Sequence, residues 1–344
     1  MYPILLQTQT QTQTRTPAMR PGRSCPLAYR YGAKSLARRA DFSADAIYVI
    51  GGMYGNPWAL EAARDLIARE PGAHLVFNGD FNWFNIDDAG FTAVNDEVLR
   101  HHAIRGNVET ELLSADAAAG CGCAYPEYVG DADVARSNAI MGVLAATARR
   151  HRGLAERLAA LPMHLVAQVG ALRVGIVHGD ADSLAGWAFD ADAIDADVVS
   201  RMFDAAQVRV LASSHTCAAV AQVFDTGAGP AAVFNNGAAG MPNFADAHWG
   251  VVTRIGIAPA AAGALYGTQI DGVHVDALPL RYDHEAWLAH FDWLWPAGSA
   301  AHLSYRNRIV GGPPRLLASA VRAGIEARHT VENAYGPIAR DQAA

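Results

Sequence analysis

Five short polar motifs, each directly after an apolar, strand-like run, constrain this chain more than any other feature. They are Ile-Gly-Gly-Met-Tyr-Gly-Asn at 50–56, Asn-Gly-Asp at 78–80, Gly-Asn-Val-Glu at 106–109, Val-His-Gly-Asp at 177–180 and Ser-Ser-His-Thr-Cys at 213–217. Polar residues that follow buried strands sit at carboxyl-terminal strand ends, where open α/β sheets build their sites. The motifs therefore predict both a layered α/β fold and a place for its chemistry.

The rest of the pattern fits such a fold. Ala-Ile-Tyr-Val-Ile at 46–50 reads as a short buried strand, and Pro57 opens a helix running to about Arg69. Residues 73–78 are the next strand, and Phe91 to His101 has helical spacing. An alanine-rich stretch at 132–160 reads as one long helix, broken before Leu161-Pro162. Strands are predicted at 164–170 and 172–177, a hairpin turning near Gly170, and then at 208–213, 219–224 and 231–235. Residues 251–281 read as a β-meander, with helices at 283–293 and 314–328. The mixture predicts two sheets rather than one parallel sheet.

Domain limits follow from composition. Residues 1–24, Gln/Thr-rich and then Arg/Pro-rich, bury too little to offset ordering entropy and read as a disordered tail. Residues 25–313 form the main domain, with a cap or loop insertion around 110–160 carrying Cys121-Gly-Cys123, and 314–344 form a C-terminal helix and tail. With 344 residues, 51% of them hydrophobic, the chain can bury a large core. A net charge of -7 argues against nucleic acid as partner. Four cysteines make no disulfide scaffold, and no run of about 18 apolar residues suggests a membrane span. The first apolar run is too short for a secretory signal, so a cytoplasmic location is expected. The oligomeric state, homo-oligomer included, is open.

Asp80, Asn107, His178 and His215 each stand at a strand end. One carboxylate, one amide oxygen and two imidazoles can hold a single divalent ion such as Mn, Fe or Zn. Each alone has a plainer explanation: a strand-end Asp is often a turn former, Gly-Asn often a turn, and a strand-end His often structural. Four at successive strand ends favour a metal site. Trp83, Phe84, Trp187 and Phe189 follow these motifs closely, as pocket wall or as core.

With these residues in place, the stretch from about Ala46 to Arg281 resembles the calcineurin-like metallophosphoesterases. Asn235-Asn236-Gly237, followed by Pro242, and Arg281-Tyr-Asp-His-Glu add to the likeness. The resemblance implies a four-layer α-β-β-α sandwich of two mixed sheets flanked by helices. It also implies that Asp80 matches the carboxylate bridging two metals, and that Asn107, His178 and His215 match the other protein ligands of the second metal. The first metal's own ligands fall on Gly52, Tyr54 and Cys217, all changed. The second aspartate of the pattern falls on Trp83, the acid-donating histidine falls on Val108, and Glu109 keeps an acidic position beside it.

The expectation is thus a metal-dependent hydrolase, a phosphoesterase with one ion per chain acting on a small, anionic molecule. Asp80, Asn107, His178 and His215 would be ligands, with Tyr54, Asn56, Glu109 and Cys217 as residues acting on substrate or water. Two alternatives stand beside it: a mononuclear-metal enzyme of another reaction type on a non-phosphate substrate, and a non-catalytic scaffold derived from the same fold. Separately, Tyr54 and Cys217 could hold a second ion of altered type or merely fill its place.

Overall fold

The computed structural model describes residues 20–114, 119–260 and 263–328. Within them the chain runs β1 (Phe42–Ala44), β2 (Ala46–Ile50), α1 (Pro57–Ala68), β3 (His74–Phe77), α2 (Asp88–Val98), β4 (His102–Ala103) and α3 (Asn107–Glu111). Two packed helices follow, α4 (Asp131–Arg150) and α5 (Arg152–Ala159). Then come β5 (His164–Val169), β6 (Leu172–Val177), α6 (Ala196–Ala206), β7 (Val210–Ser213), β8 (Val220–Thr226) and β9 (Gly229–Asn235). The last part is β10 (Trp249–Gly256), β11 (Tyr266–Ile270), β12 (Val273–Arg281), α7 (His284–Leu294), α8 (Ala300–Gly311) and β13 (Glu326–Ala327).

Strand side chains alternate faces with a period of two, and here both faces are apolar. In β2, Ile47 and Val49 turn one way and Tyr48 and Ile50 the other; in β9, Ala232 and Phe234 oppose Ala231 and Val233. Two-sided strands need cover on both sides. The strands form a six-stranded sheet ordered β1-β5-β6-β7-β9-β8 and a seven-stranded sheet ordered β13-β11-β12-β10-β2-β3-β4. Ile47, Val49 and Val76 meet Val174, Ile176, Val210 and Phe234 in the core between the sheets. The outer face of the smaller sheet is covered by α6, through Val199, Met202 and Phe203. The outer face of the larger sheet lies under a layer that includes Leu60 of α1, Val94 of α2, Leu144 of α4 and Trp287 of α7. This is an α/β fold of two mixed sheets flanked by helices.

Parallel pairing places the motifs together. β2, β3 and β4 run parallel in one sheet, and β6, β7 and β9 run parallel in the other. Their carboxyl ends are tied across the sheets: Asn78 donates through Nδ2 to the Val177 carbonyl, and Asn236 donates to the Gly51 carbonyl.

Several local expectations are corrected. The stretch at 132–160 is two helices, because His151 leaves helical geometry between α4 and α5. Residues 251–281 are not a simple meander: β12 lies between β10 and β11, pairing antiparallel with both. No helix spans 314–328; a short 3-10 turn at Leu317–Ala320 and strand β13 stand there instead. Residues 1–19 of the expected tail lie outside the described residues. Residues 20–24 are held in place, with Arg23 bonded to the Pro126 and Val129 carbonyls and to Asp131. Among the described residues no helix is long and apolar enough to cross a membrane.

Candidate metal centre

Three of the four predicted ligands are aimed by a hydrogen bond on the far side. His178, just past β6, donates through Nδ1 to the Asn78 carbonyl at 2.9 Å, which leaves the Nε2 lone pair bare. His215, just past β7, donates through Nε2 to the Cys123 carbonyl at 3.0 Å, which leaves Nδ1 bare. Asn107, at the start of α3, donates through Nδ2 to the Cys121 carbonyl at 2.9 Å, which turns Oδ1 inward. Three carbonyls, which only accept, thus determine which atom of each side chain faces its neighbours.

The inward atoms converge. His178 Nε2 lies 3.0 Å from Asn107 Oδ1, 3.1 Å from His215 Nδ1 and 3.3 Å from Asp80 Oδ1. Metal–ligand bonds of about 2.1 Å put neighbouring ligand atoms roughly 3.0 Å apart at right angles and about 3.4 Å apart in a tetrahedron. The observed separations fall in that span. Four lone pairs pointed at one another in a buried site repel unless a cation lies among them. That cation is a proton on His178 or a divalent ion, so this donor set fits a metal.

The charges are mutually adjusted. Burial opposes ionisation of Asp80, yet His178, His215 and the Val108 amide hold its carboxyl below the usual range. Burial also works against a charged His178, but Asp80 beside it raises its proton affinity above the ordinary imidazole value. Burial and then the nearby His178 push His215 down to about 3, so it is neutral at physiological pH.

The backbone carries strain at this place. Asp80, Tyr54 and Cys217 have φ of 57°, 55° and 57°, left-handed values that cost a non-glycine residue about 1–3 kcal/mol and gather at functional sites. Gly106 lets Asp80 fit, since a Cβ there would lie 2.3 Å from Asp80 Oδ1.

The residues expected to act on substrate separate into two pairs. Tyr54 and Cys217 line the cavity beside Asp80, with the Tyr54 hydroxyl 2.8 Å from Cys217 Sγ. Burial raises both above their ordinary values, and Tyr54 is raised further by Cys217 and Asp80, so both are neutral groups. A Cβ on Gly52 would lie 2.9 Å from the Tyr54 ring and 3.0 Å from its hydroxyl. The Tyr54 ring thus occupies the space that a side chain at 52 would need.

Asn56 and Glu109 are corrected: neither lines the cavity. Asn56 caps α1, accepting from the Ala59 amide and donating to the Gly240 carbonyl. Glu109 accepts from the amides of Asp80, Phe81 and Gly106, holding the Asp80 loop against α3. Burial and then the charge of Asp80 raise Glu109 to about 7.

The cavity in front of the ligands has a volume of about 170 Å³. Asp80, Asn107 and His215 face it; His178 stands behind them. Of the four aromatic candidates, Trp83 and Trp187 are wall, while Phe84 and Phe189 pack into the core. Val108, Cys123 and Thr216 also line it, with Tyr125, Tyr305 and Arg308, which the sequence did not single out. Tyr305 and Arg308 sit on α8, beyond every motif. The serine that caps this helix, Ser299, is a start signal, but nothing in the spacing of 300–311 points toward the site.

No protein-family model and no curated protein matches this chain. Solved structures do. A metallophosphoesterase from Sphaerobacter thermophilus superposes with a TM-score of 0.51 at 15% identity, over 78% of this chain and 100% of that one. The chain has the metallophosphoesterase fold. A hypothetical protein from Pyrococcus horikoshii OT3 shares this fold, with a TM-score of 0.55 at 16% identity over 78% of this chain and 99% of its own. Within this fold, Asp80, His178 and His215 form a carboxylate–imidazole group that could hold an ion.

Proposed function

We propose that the chain is a metal-dependent phosphoesterase that holds one divalent ion, Mn, Fe or Zn, on Asp80, Asn107, His178 and His215. The observation that carries the reading is the convergence of four ligand atoms, three of them aimed by a bond on the far side. A scaffold without metal has no physical need for that arrangement. When bound, such an ion polarises a phosphoryl oxygen and lowers the pKa of a water.

The chain's own residues prepare this chemistry. Asp80, Asn107 and His215 face the cavity, so that an ion held on them would be within reach of substrate, and the Trp83 and Trp187 walls exclude bulk water. Tyr54 in the space beside Gly52 disfavours a second ion, because no carboxylate stands at 52 and neutral phenol and thiol groups stand at 54 and 217. The same neutrality counts against the alternative of another reaction type built on a Tyr54–Cys217 metal. The substrate is a small anion.

Purified protein loaded with Mn, Fe or Zn is expected to hydrolyse a phosphomonoester or phosphodiester. Asp80→Asn and His178→Ala are expected to lower kcat/KM by about 100-fold or more, the scale of losing a main electrostatic stabiliser. Unchanged turnover in both variants would remove the reading.

A further inference from the structure

The reading above leaves the positive charge of the cavity incomplete. A phosphoryl group carries charge beyond what one ion with Asp80 as a ligand neutralises. Among the described residues lining the cavity, Arg308 is the one with a fixed positive charge. Its guanidinium is pinned: Nε donates to the Pro242 carbonyl at 3.0 Å, and Nη2 donates to the Cys217 carbonyl at 2.8 Å and to Asn243 Oδ1 at 3.5 Å. No carboxylate pairs with it among the described residues, and Nη1 has no hydrogen-bond partner among them. A half-buried arginine held by carbonyls at one edge, with its other edge free, is preorganised for an anionic oxygen.

The other lining residues restrict the rest of the molecule. Trp83, Tyr125, Trp187 and Tyr305 form aromatic walls, and about 170 Å³ has room for little more than one ring beside the anionic group.

We propose that Arg308, delivered by α8, binds an anionic oxygen of the substrate in front of the metal ligands, and that the aromatic walls select a small aryl phosphate. This rests on the phosphoesterase reading. Hydrolysis forms a phosphorus–oxygen bond to water and breaks the one to the aryl oxygen. That oxygen leaves with the bond's electron pair and takes up the proton that water releases.

The test is a calorimetric titration of metal-loaded protein with phenylphosphonate, a non-hydrolysable probe, and with methylphosphonate. Metal content is measured on the same samples. Phenylphosphonate is expected to bind at least about 10-fold more tightly than methylphosphonate, as burying a phenyl ring allows. Arg308→Gln is expected to weaken both by about 10- to 100-fold at unchanged metal content, the scale of a charged hydrogen bond, with Arg308→Lys between the two. Equal binding by wild type and Arg308→Gln overturns the role of Arg308. Equal affinity for the two phosphonates overturns the aryl preference. Wild type that takes up no metal overturns the underlying reading instead, and the titration still reports whether binding depends on Arg308.

Discussion

His215 and Tyr54 decide most of what this site can do. His215 is held at about 3 by burial and by His178, while its unfolded value is about 6.5. A depressed histidine means that the unfolded chain takes up a proton that the folded chain refuses, so stability falls as pH drops below 6.5. His178 is shifted the other way, by Asp80 beside it. With metal chelated, His215 should contribute a loss of about 2 kcal/mol of unfolding free energy between pH 6.5 and 5, opposed by Glu109, whose raised carboxyl gains stability over the same window. The His215 part is the difference between wild type and His215→Gln, read from urea midpoints across that range, and an identical pH dependence in the two would contradict it. Tyr54 makes a separate prediction. Gly52→Asp alone should gain no second ion, because the Tyr54 ring stands where its side chain must go. Gly52→Asp with Tyr54→His and Cys217→His should raise the bound metal toward two per chain, measured by elemental analysis. A second ion in the single variant would show that Tyr54 is not the obstacle.

At the scale of elements, the site depends on helices that touch no ligand. Trp287 of α7 is fully buried, packed against Trp58 of α1, Phe84 and Phe291. Phe84 in turn meets Tyr305 of α8 edge-on at 5.0 Å. Trp287→Ala should cost about 3–5 kcal/mol in chemical denaturation and loosen Tyr305 and Arg308 with it. A loss under about 1 kcal/mol would show that α7 and α8 are not coupled this way. These elements also mark what the sequence made legible. The metal ligands could be read because they stand at strand ends, and the continuous apolar burial of β2, β3, β6 and β7 makes such strands conspicuous. The roles of Asn56 and Glu109 could not be read: the motif places them at the site, but only the fold shows their side chains turned to backbone amides and carbonyls. α8 had no signal either, since its contribution is long-range contact rather than periodicity.

The whole molecule joins two sheets by a core between them and sets a single polar cluster across one end. Asp80 and Asn107 follow strands of the larger sheet, and His178 and His215 follow strands of the smaller one. The ion would therefore bridge the two halves of the sandwich. Anything that binds the folded state alone stabilises it by mass action, so saturating metal at 100 times its dissociation constant should add about 2.7 kcal/mol to unfolding. Chelation should remove it, seen as a lower midpoint that returns when metal is restored. Metal stoichiometry by mass spectrometry, on wild type and on the Asp80→Asn and His215→Ala variants after loading and desalting, tests the central claim most directly. The account predicts about one ion per wild-type chain and a small fraction of that in either variant. Wild type with no bound ion, or variants that keep theirs, would contradict it.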